Sequence, residues 1–135
     1  MNRDMMQGFE LFQPTQIKDA LGLLDRYEDK GWLYAGGKDS LDWFKDRVMK
    51  PDAVIDLNGI EEMKGIRQTN TGVEVGALTT LSELEKNNLI NKKFPLLAKA
   101  ARTVASPQIR NAGTLGGNVA QDTRCWYYRY GLPCY

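Results

Sequence analysis

The chain has 135 residues, enough for one compact domain with a real hydrophobic core. Its 18 lysines and arginines nearly balance its 17 aspartates and glutamates, which argues against a nucleic-acid-binding surface, because such surfaces show a clustered basic excess. The sequence contains no histidine, which excludes Ser-His-Asp and Cys-His hydrolase sites within this chain and removes the commonest transition-metal ligand.

Residues 1–57 alternate between strand and helix patterns, as in a small parallel α/β unit. The predicted elements are an edge strand at residues 9–12, a helix opened by Pro14-Thr15 with Thr15 as N-cap and Gly31 as its stop, a buried strand at residues 32–35, a helix through Leu41, Phe44 and Val48 that Pro51 ends, and a buried strand at residues 53–57. We therefore predict an N-terminal β-α-β-α-β subdomain over residues 1–57.

The pattern changes after Asn58-Gly59. The predicted elements are a hairpin of Ile66–Gln68 and Val73–Val75 around Asn70-Thr71-Gly72, a helix behind a Thr80-x-x-Glu83 capping box with Leu81 and Leu84 on its apolar face, a last helix from Pro95 through Ala101, and an irregular stretch at residues 106–113. Residues 58–120 are interpreted as the first part of a second subdomain, and residues 121–135 as a tail rich in cysteine and aromatic residues.

Both cysteines, Cys125 and Cys134, lie in this tail. No apolar run is long enough to span a bilayer and no signal-peptide h-region opens the chain, so a cytoplasmic protein is expected. In that compartment the two cysteines are not expected to form a structural disulfide. The abrupt aromatic ending leads us to expect a fragment, or a subunit that docks on a partner.

Two glycine pairs are the most informative feature of the sequence. One lies in residues 34–41, Tyr-Ala-Gly-Gly-Lys-Asp-Ser-Leu, and the other in residues 114–118, Thr-Leu-Gly-Gly-Asn. Glycine lets a ligand approach the main chain closely, and successive free N–H groups in such a turn form a concave anion site. The two pairs together predict a split cradle for a dinucleotide. The structural alternative for the first pair is a tight turn between a strand and a helix.

Five segments occur in a specific order: residues 35–41 (AGGKDSL), 51–57 (PDAVIDL), 76–81 (GALTTL), 104–111 (VASPQIRN) and 113–118 (GTLGGN). This series resembles the FAD-binding medium subunit of the molybdenum hydroxylases, the family of xanthine dehydrogenase, carbon monoxide dehydrogenase and 4-hydroxybenzoyl-CoA reductase. The resemblance implies an α/β (α+β) fold in which two subdomains hold FAD between them, and which is C-terminally incomplete in this chain.

The resemblance also implies which residues contact FAD, and it assigns no catalytic side chain. The backbone of the first glycine loop is expected to wrap the pyrophosphate, the second pair to form the opposite wall, and Val104 to lie near the flavin ring. The implied cofactor-binding residues are Tyr34, Ala35, Gly36, Gly37, Lys38, Asp39, Ser40, Leu41, Val104, Thr114, Gly116, Gly117 and Asn118.

The resemblance further implies an electron-transfer subunit of a larger complex. Members of the family pass electrons from iron–sulfur clusters through FAD to an acceptor such as NAD. Substrate chemistry belongs to a separate large subunit with the molybdenum cofactor. The other implied partner is a small [2Fe–2S] subunit.

The tail narrows the resemblance to the 4-hydroxybenzoyl-CoA reductase type. Residues 121–128, Gln-Asp-Thr-Arg-Cys-Trp-Tyr-Tyr, resemble the start of an inserted loop that binds a [4Fe–4S] cluster in that type. Cys125 and Cys134 are then the implied metal ligands. Since such a cluster needs four thiolates, two further ligands are expected beyond Tyr135 or on another chain.

Side chains beside the glycine loops have alternative roles at this stage. Lys38 either offsets phosphate charge or is a solvated loop lysine. Asp39 would repel a phosphate unless it binds a ribose hydroxyl or caps the following helix, and the cap is preferred; Ser40 fits either role. Arg110 is expected to clamp backbone carbonyls of the loop before Gly113 rather than to be a surface charge.

Two other functions remain open. One is a non-catalytic assembly fragment that keeps a partner interface and binds no FAD. The other is a nucleotide-binding module of another kind, although the sequence lacks both Gly-x-Gly-x-x-Gly and Gly-x4-Gly-Lys-Ser/Thr.

Overall fold

A three-stranded parallel sheet forms the centre of the N-terminal half in the computed structural model, which describes residues 6–133. Its strands are β1 (Glu10–Phe12), β2 (Gly31–Tyr34) and β3 (Ala53–Asp56), in the spatial order β1-β3-β2. The central strand is β3, where Ala53, Val54 and Ile55 are almost completely buried. A continuous apolar run of this kind is typical of a parallel strand that is covered on both faces.

Helices cover both faces of this sheet because successive side chains of a strand point to opposite sides. Helix α1 (Ile17–Tyr27) places Ala20 in the same buried cluster as Ile55. Helix α2 (Ser40–Lys45) places Trp43 and Phe44 in the cluster of Val54.

The second half combines a hairpin with short helices. Its elements are β4 (Ile66–Gln68), β5 (Val73–Val75), α3 (Leu81–Lys86), α4 (Asn88–Lys93), α5 (Pro95–Thr103), α6 (Pro107–Ala112), α7 (Leu115–Val119) and, in the tail, α8 (Trp126–Arg129). Its core consists of Leu81, Leu84, Ile90, Ala98 and Ala101, with Ile66, Val73 and Val75 of the hairpin packed against it.

Leu78 connects the two halves, because it lies in the buried cluster of Ile55 and Ala20. Just beyond it, the amide of Leu115 donates to the carbonyl of Thr79 over 2.8 Å, and the amide of Leu81 donates to the carbonyl of Gly113 over 2.9 Å. The second glycine pair is thereby held close to the junction of the halves.

The predicted fold class is confirmed, and several predicted elements are present. The parallel sheet with an edge strand near residues 9–12, the hairpin at Ile66–Val75 and the capping box of Thr80 and Glu83 all form. The subdomain boundaries at residues 57 and 120 stay a prediction.

Several predicted boundaries are wrong. Gln16 is the N-cap of α1 rather than Thr15, and the helix ends at Tyr27, so that Gly31 opens β2 instead of stopping a helix. Helix α2 ends at Lys45, well before Pro51, and Val48 lies outside it.

The stretch at residues 106–113 is helical rather than irregular. The Ser106 hydroxyl accepts from the amide of Ile109 as an N-cap, and Pro107 occupies the first turn of α6, where it needs no donor. The helix from Pro95 is therefore not the last one. Within residues 6–133, no helix is long and apolar enough to cross a membrane.

Candidate cofactor-binding site

The first glycine loop follows the carboxyl end of β2 and keeps its amides available. Gly37 has φ = +67°, a left-handed conformation that favours glycine, and the residue is buried. Within the described residues, no group accepts a hydrogen bond from the backbone N–H of Gly36, Gly37 or Lys38. Gly37 is buried, Gly36 is half-buried and Lys38 is exposed. Since buried N–H groups are nearly always paired, the Gly37 amide in particular is a donor that an anionic ligand would satisfy.

Asn58, which lies just after β3, holds the first glycine loop in place. The sequence-based site prediction did not include this residue. The Asn58 side-chain amide donates to the carbonyl of Ala35 over 2.9 Å and to the Asp56 carboxylate over 2.6 Å. Since β2 and β3 are adjacent and parallel, their carboxyl ends bring Asn58 and Ala35 together. Asp56 and Asn58, on either side of the strand end, are residues that favour such a turn, and the Asp56 carboxylate accepts from the backbone amide of Asn58 over 3.0 Å.

The second glycine pair differs from the prediction, because its amides have protein partners. Thr114 is the N-cap of α7, and its hydroxyl accepts from the amide of Gly117 over 3.2 Å. The amide of Gly116 donates to the carbonyl of Ala77 over 2.8 Å. Gly116 thus allows the backbone of α7 to approach the backbone at Ala77 closely, since a Cβ at position 116 would lie 2.9 Å from the Ala77 side chain. The expectation of free N–H groups at the second pair is therefore wrong.

The two glycine loops nevertheless meet. A Cβ at Gly36 would lie 2.9 Å from both the carbonyl carbon of Ala112 and the Cα of Gly113, and closer still to the Ala112 carbonyl oxygen. Only a glycine fits at position 36 without displacing one loop. The two glycine loops therefore lie next to each other at a contact directly before Thr114, and their role as the two walls of a cofactor site stays a prediction.

Asp39 occupies the N-cap position of α2, but its side chain makes no capping hydrogen bond and is bound by the tail instead. One carboxylate oxygen accepts from Arg124 over 3.0 Å and from Arg129 over 2.9 Å, and the other accepts from the Trp43 indole over 3.1 Å. The guanidinium of Arg129 also lies over the Trp43 ring, 4.5 Å from its centroid. Partial burial raises the pKa of the Asp39 carboxyl, but the hydrogen bonds from Arg129 and Trp43 and the positive charges outweigh it, so the pKa is below its ordinary value.

The remaining predicted side chains divide between structural contacts and open positions. The Ser40 hydroxyl accepts from the Trp32 indole over 2.9 Å, which is neither of the predicted roles. Lys38 and Leu41 are exposed, and Tyr34 packs on the Trp43 and Phe44 cluster. Asn118 is half-buried in α7.

Arg110 clamps the turn that contains Val104, as predicted. Its guanidinium donates to the carbonyls of Val104 over 3.0 Å and Ala105 over 3.3 Å, and to the Glu85 carboxylate over 3.0 Å. Ala105 has φ = +42°, a strained conformation for a residue with a Cβ. Val104 itself packs against the core of the second half.

Metal ligands do not assemble in the described part of the chain. Residues 6–133 contain no group of three or more cysteine, aspartate or glutamate side chains that could hold a metal ion. Cys125 is half-buried, and Cys134 lies outside the described residues. The iron–sulfur cluster therefore stays a prediction without structural support.

A family model for the FAD binding domain in molybdopterin dehydrogenase matches residues 7–125. The chain belongs to this family. It is similar to the nicotinate dehydrogenase FAD-subunit of Eubacterium barkeri, at 41% identity over 119 residues, which cover 87% of this chain and 40% of that protein. The carbon monoxide dehydrogenase medium chain of Hydrogenophaga pseudoflava is 38% identical over 112 residues, which cover 83% of this chain and 39% of the relative.

Solved structures agree with the family of FAD-binding domains. A carbon monoxide dehydrogenase from Hydrogenophaga pseudoflava, in a form that lacks the Mo-pyranopterin moiety of its cofactor, matches with a TM-score of 0.84 and 37% identity over 86% of this chain and 40% of that chain. The chain thus spans about two fifths of the length of these relatives. The predicted membership of the molybdenum hydroxylase flavoprotein family is confirmed, and its narrowing to the 4-hydroxybenzoyl-CoA reductase type stays a prediction.

Proposed function

We propose that this chain is the FAD-binding part of an electron-transfer subunit in a molybdenum-hydroxylase-type oxidoreductase. The observation that carries the proposal is the first glycine loop. Its three consecutive amides lack protein acceptors within the described residues, and Gly36 packs directly against the loop that leads into the second glycine pair. A pyrophosphate is the anionic group of a dinucleotide that such amides can bind.

The residues present fit FAD at this site. Backbone N–H groups of Gly36, Gly37 and Lys38 would bind phosphate oxygens, with Tyr34, Ala35, Asp39, Ser40 and Leu41 forming the rest of the loop. The opposite wall would be Thr114, Gly116, Gly117 and Asn118, with Val104 at the flavin end. Gly117 remains exposed while its amide is bound by Thr114, so we expect it to offer close approach rather than a hydrogen bond.

FAD, when bound, supplies the redox chemistry of such a subunit. The protein residues would bind and orient it. We expect no side chain of the site to act as an acid–base catalyst; Asp39 forms ion pairs with two arginines.

We further propose that the chain works in a complex. The partners would be a large subunit with the molybdenum cofactor and a small [2Fe–2S] subunit, with NAD as an acceptor of the electrons. Support comes from the relatives, which are described as a medium chain and as an FAD-subunit. In the tail, Trp126, Tyr127 and Tyr130 are mostly exposed, as expected of aromatic residues that contact a partner. The 4-hydroxybenzoyl-CoA reductase type, with Cys125 and Cys134 as cluster ligands, is the narrower form of this proposal.

An absorption spectrum of the anaerobically purified chain, before and after FAD is added, tests the proposal. A flavin spectrum that stays with the protein through gel filtration is expected, and ATP should not compete for the site. A chain that is folded by circular dichroism but never retains FAD would instead favour the non-catalytic assembly fragment.

A further inference from the structure

The tail lies against the first glycine loop. Arg124 and Arg129 both bind Asp39, which follows directly on Lys38 of that loop. The tail has internal contacts as well, because Arg129 donates to the carbonyl of Thr123 over 3.3 Å. Residues 123–129 therefore form a structured segment that contacts Asp39, the residue directly after the three available amides.

This segment reverses the electrostatic effect of Asp39 on the site. In the loop alone, the carboxylate of Asp39 cancels the charge of Lys38 and would repel a phosphate. With Arg124 and Arg129 in place, two guanidinium groups contact this one carboxylate, so the cluster of the three side chains carries a net positive charge. The pyrophosphate of a dinucleotide carries two negative charges, so it gains from a site with excess positive charge.

The two arginines differ in how many of their guanidinium N–H donors already have a partner. The Arg129 side chain is only 13% exposed, and it is committed to Asp39, to the Thr123 carbonyl and to the Trp43 ring. The Arg124 side chain is 60% exposed, and a single hydrogen bond of its guanidinium, from Nη2 to Asp39, is present among the described residues. An arginine held at one nitrogen can still offer its other donors to a phosphate oxygen.

We infer that Arg124 is a phosphate-binding residue of the FAD site, and that Asp39 positions it. Arg129 donates to the same carboxylate oxygen of Asp39 and, with the Trp43 indole on the other oxygen, fixes the carboxylate. The inference rests on the proposed function, because it assumes that the first glycine loop binds the pyrophosphate. It gives Asp39 a role that is compatible with a phosphate beside it.

The test is a fluorescence titration of the 135-residue chain with FAD at several salt concentrations. The variant is Arg124→Gln, and the matched control is Arg67→Gln, which removes an equally exposed arginine from the β4–β5 hairpin. Losing one charge-assisted hydrogen bond should weaken FAD binding by about 10- to 100-fold in Arg124→Gln. Its affinity should also fall less steeply with ionic strength, because one screened attraction is missing. Arg124→Lys should recover part of both effects.

The thermal midpoint of the ligand-free variant separates phosphate binding from a purely structural role of Arg124. If Arg124 binds phosphate, the midpoint of Arg124→Gln should match that of the parent chain, since exposed ion pairs add little stability. An unchanged FAD dissociation constant in Arg124→Gln would overturn the inference. So would weaker binding that parallels a lower thermal midpoint with an unchanged salt dependence. If the parent chain itself binds no FAD, the proposed function fails first, which is a distinct outcome.

Discussion

An alanine at position 36 would force the two glycine loops apart. Its Cβ would lie 2.9 Å from the carbonyl carbon of Ala112 and from Cα of Gly113, so these atoms must retreat by at least about 0.5 Å to reach ordinary contact. Gly113 cannot move freely, because its amide donates to Ile109 over 2.7 Å and its carbonyl accepts from Leu81 over 2.9 Å. We expect a loss of about 1–3 kcal/mol in the free energy of unfolding, as in other overpacked sites.

The assay for Gly36→Ala combines thermal unfolding with FAD titration. The midpoint should fall by several degrees, at roughly 2–8 °C for each kcal/mol. If the displaced loop makes the free energy of FAD binding less favourable by about 1.4 kcal/mol or more, the dissociation constant should rise by about tenfold or more.

Gly22→Ala is the matched control for this substitution. Gly22 lies inside α1 with no atom within 4 Å of an added Cβ, so alanine there should be neutral or stabilising. A Gly36→Ala chain with the parent's midpoint and FAD affinity would refute the contact between the loops.

Three further substitutions test other parts of the structure. Asp39→Asn should lower the free energy of unfolding, measured in urea at pH 7. The folded pKa of Asp39 lies below its unfolded value, so the stabilisation by the carboxylate is complete above about pH 4 and is lost as the pH falls through the folded pKa. The difference in stability between the parent chain and Asp39→Asn should therefore be smaller at pH 3. Arg110→Met should cost about 2–4 kcal/mol in urea denaturation, because it removes the donor to two carbonyls and leaves Glu85 only the exposed Arg102, 3.9 Å away. Thr80→Ala should cost about 1 kcal/mol in the same assay through loss of the capping box.

Each of these has a control and a contrary result. An Asp39→Asn deficit that is the same at pH 7 and pH 3 would show that the carboxylate charge is not responsible. Arg102→Ala removes an exposed arginine 3.9 Å from Glu85 and should cost under about 0.5 kcal/mol, so an equal cost for Arg110→Met would contradict the clamp. Thr71→Ala, in the exposed hairpin turn, should leave the free energy of unfolding unchanged. A loss in Thr71→Ala equal to that in Thr80→Ala would contradict the stabilising role of the capping box.

The sequence predicted those parts of the fold that depend on local patterns. The apolar run at residues 53–57 indicated a buried strand of a parallel unit, which the structure has at Ala53–Asp56, and Thr80 with Glu83 indicated a helix start. Helix α6 was missed, although Ser106 followed by Pro107 is a recognisable helix start. The short apolar periodicity after Pro107 concealed it.

The candidate site was only partly predictable, because its contacts join residues far apart in the chain. The glycine pairs were identified from the local sequence, but the packing of Gly36 on Ala112 depends on tertiary structure. Asp39 was assigned a cap from its position before α2, whereas its partners Arg124 and Arg129 lie more than eighty residues away. Local sequence carries no signal for such a pairing.

The account's central claim is that FAD binds through the amides of the first glycine loop. An NMR titration of ¹⁵N-labelled chain with FAD tests it most directly. The amide resonances of Gly36, Gly37 and Lys38 should shift most among the backbone signals, while that of Gly116, bound to the Ala77 carbonyl, should shift less. FAD-induced shifts that leave Gly36, Gly37 and Lys38 unchanged, or no shifts at all in the folded chain, would contradict the account.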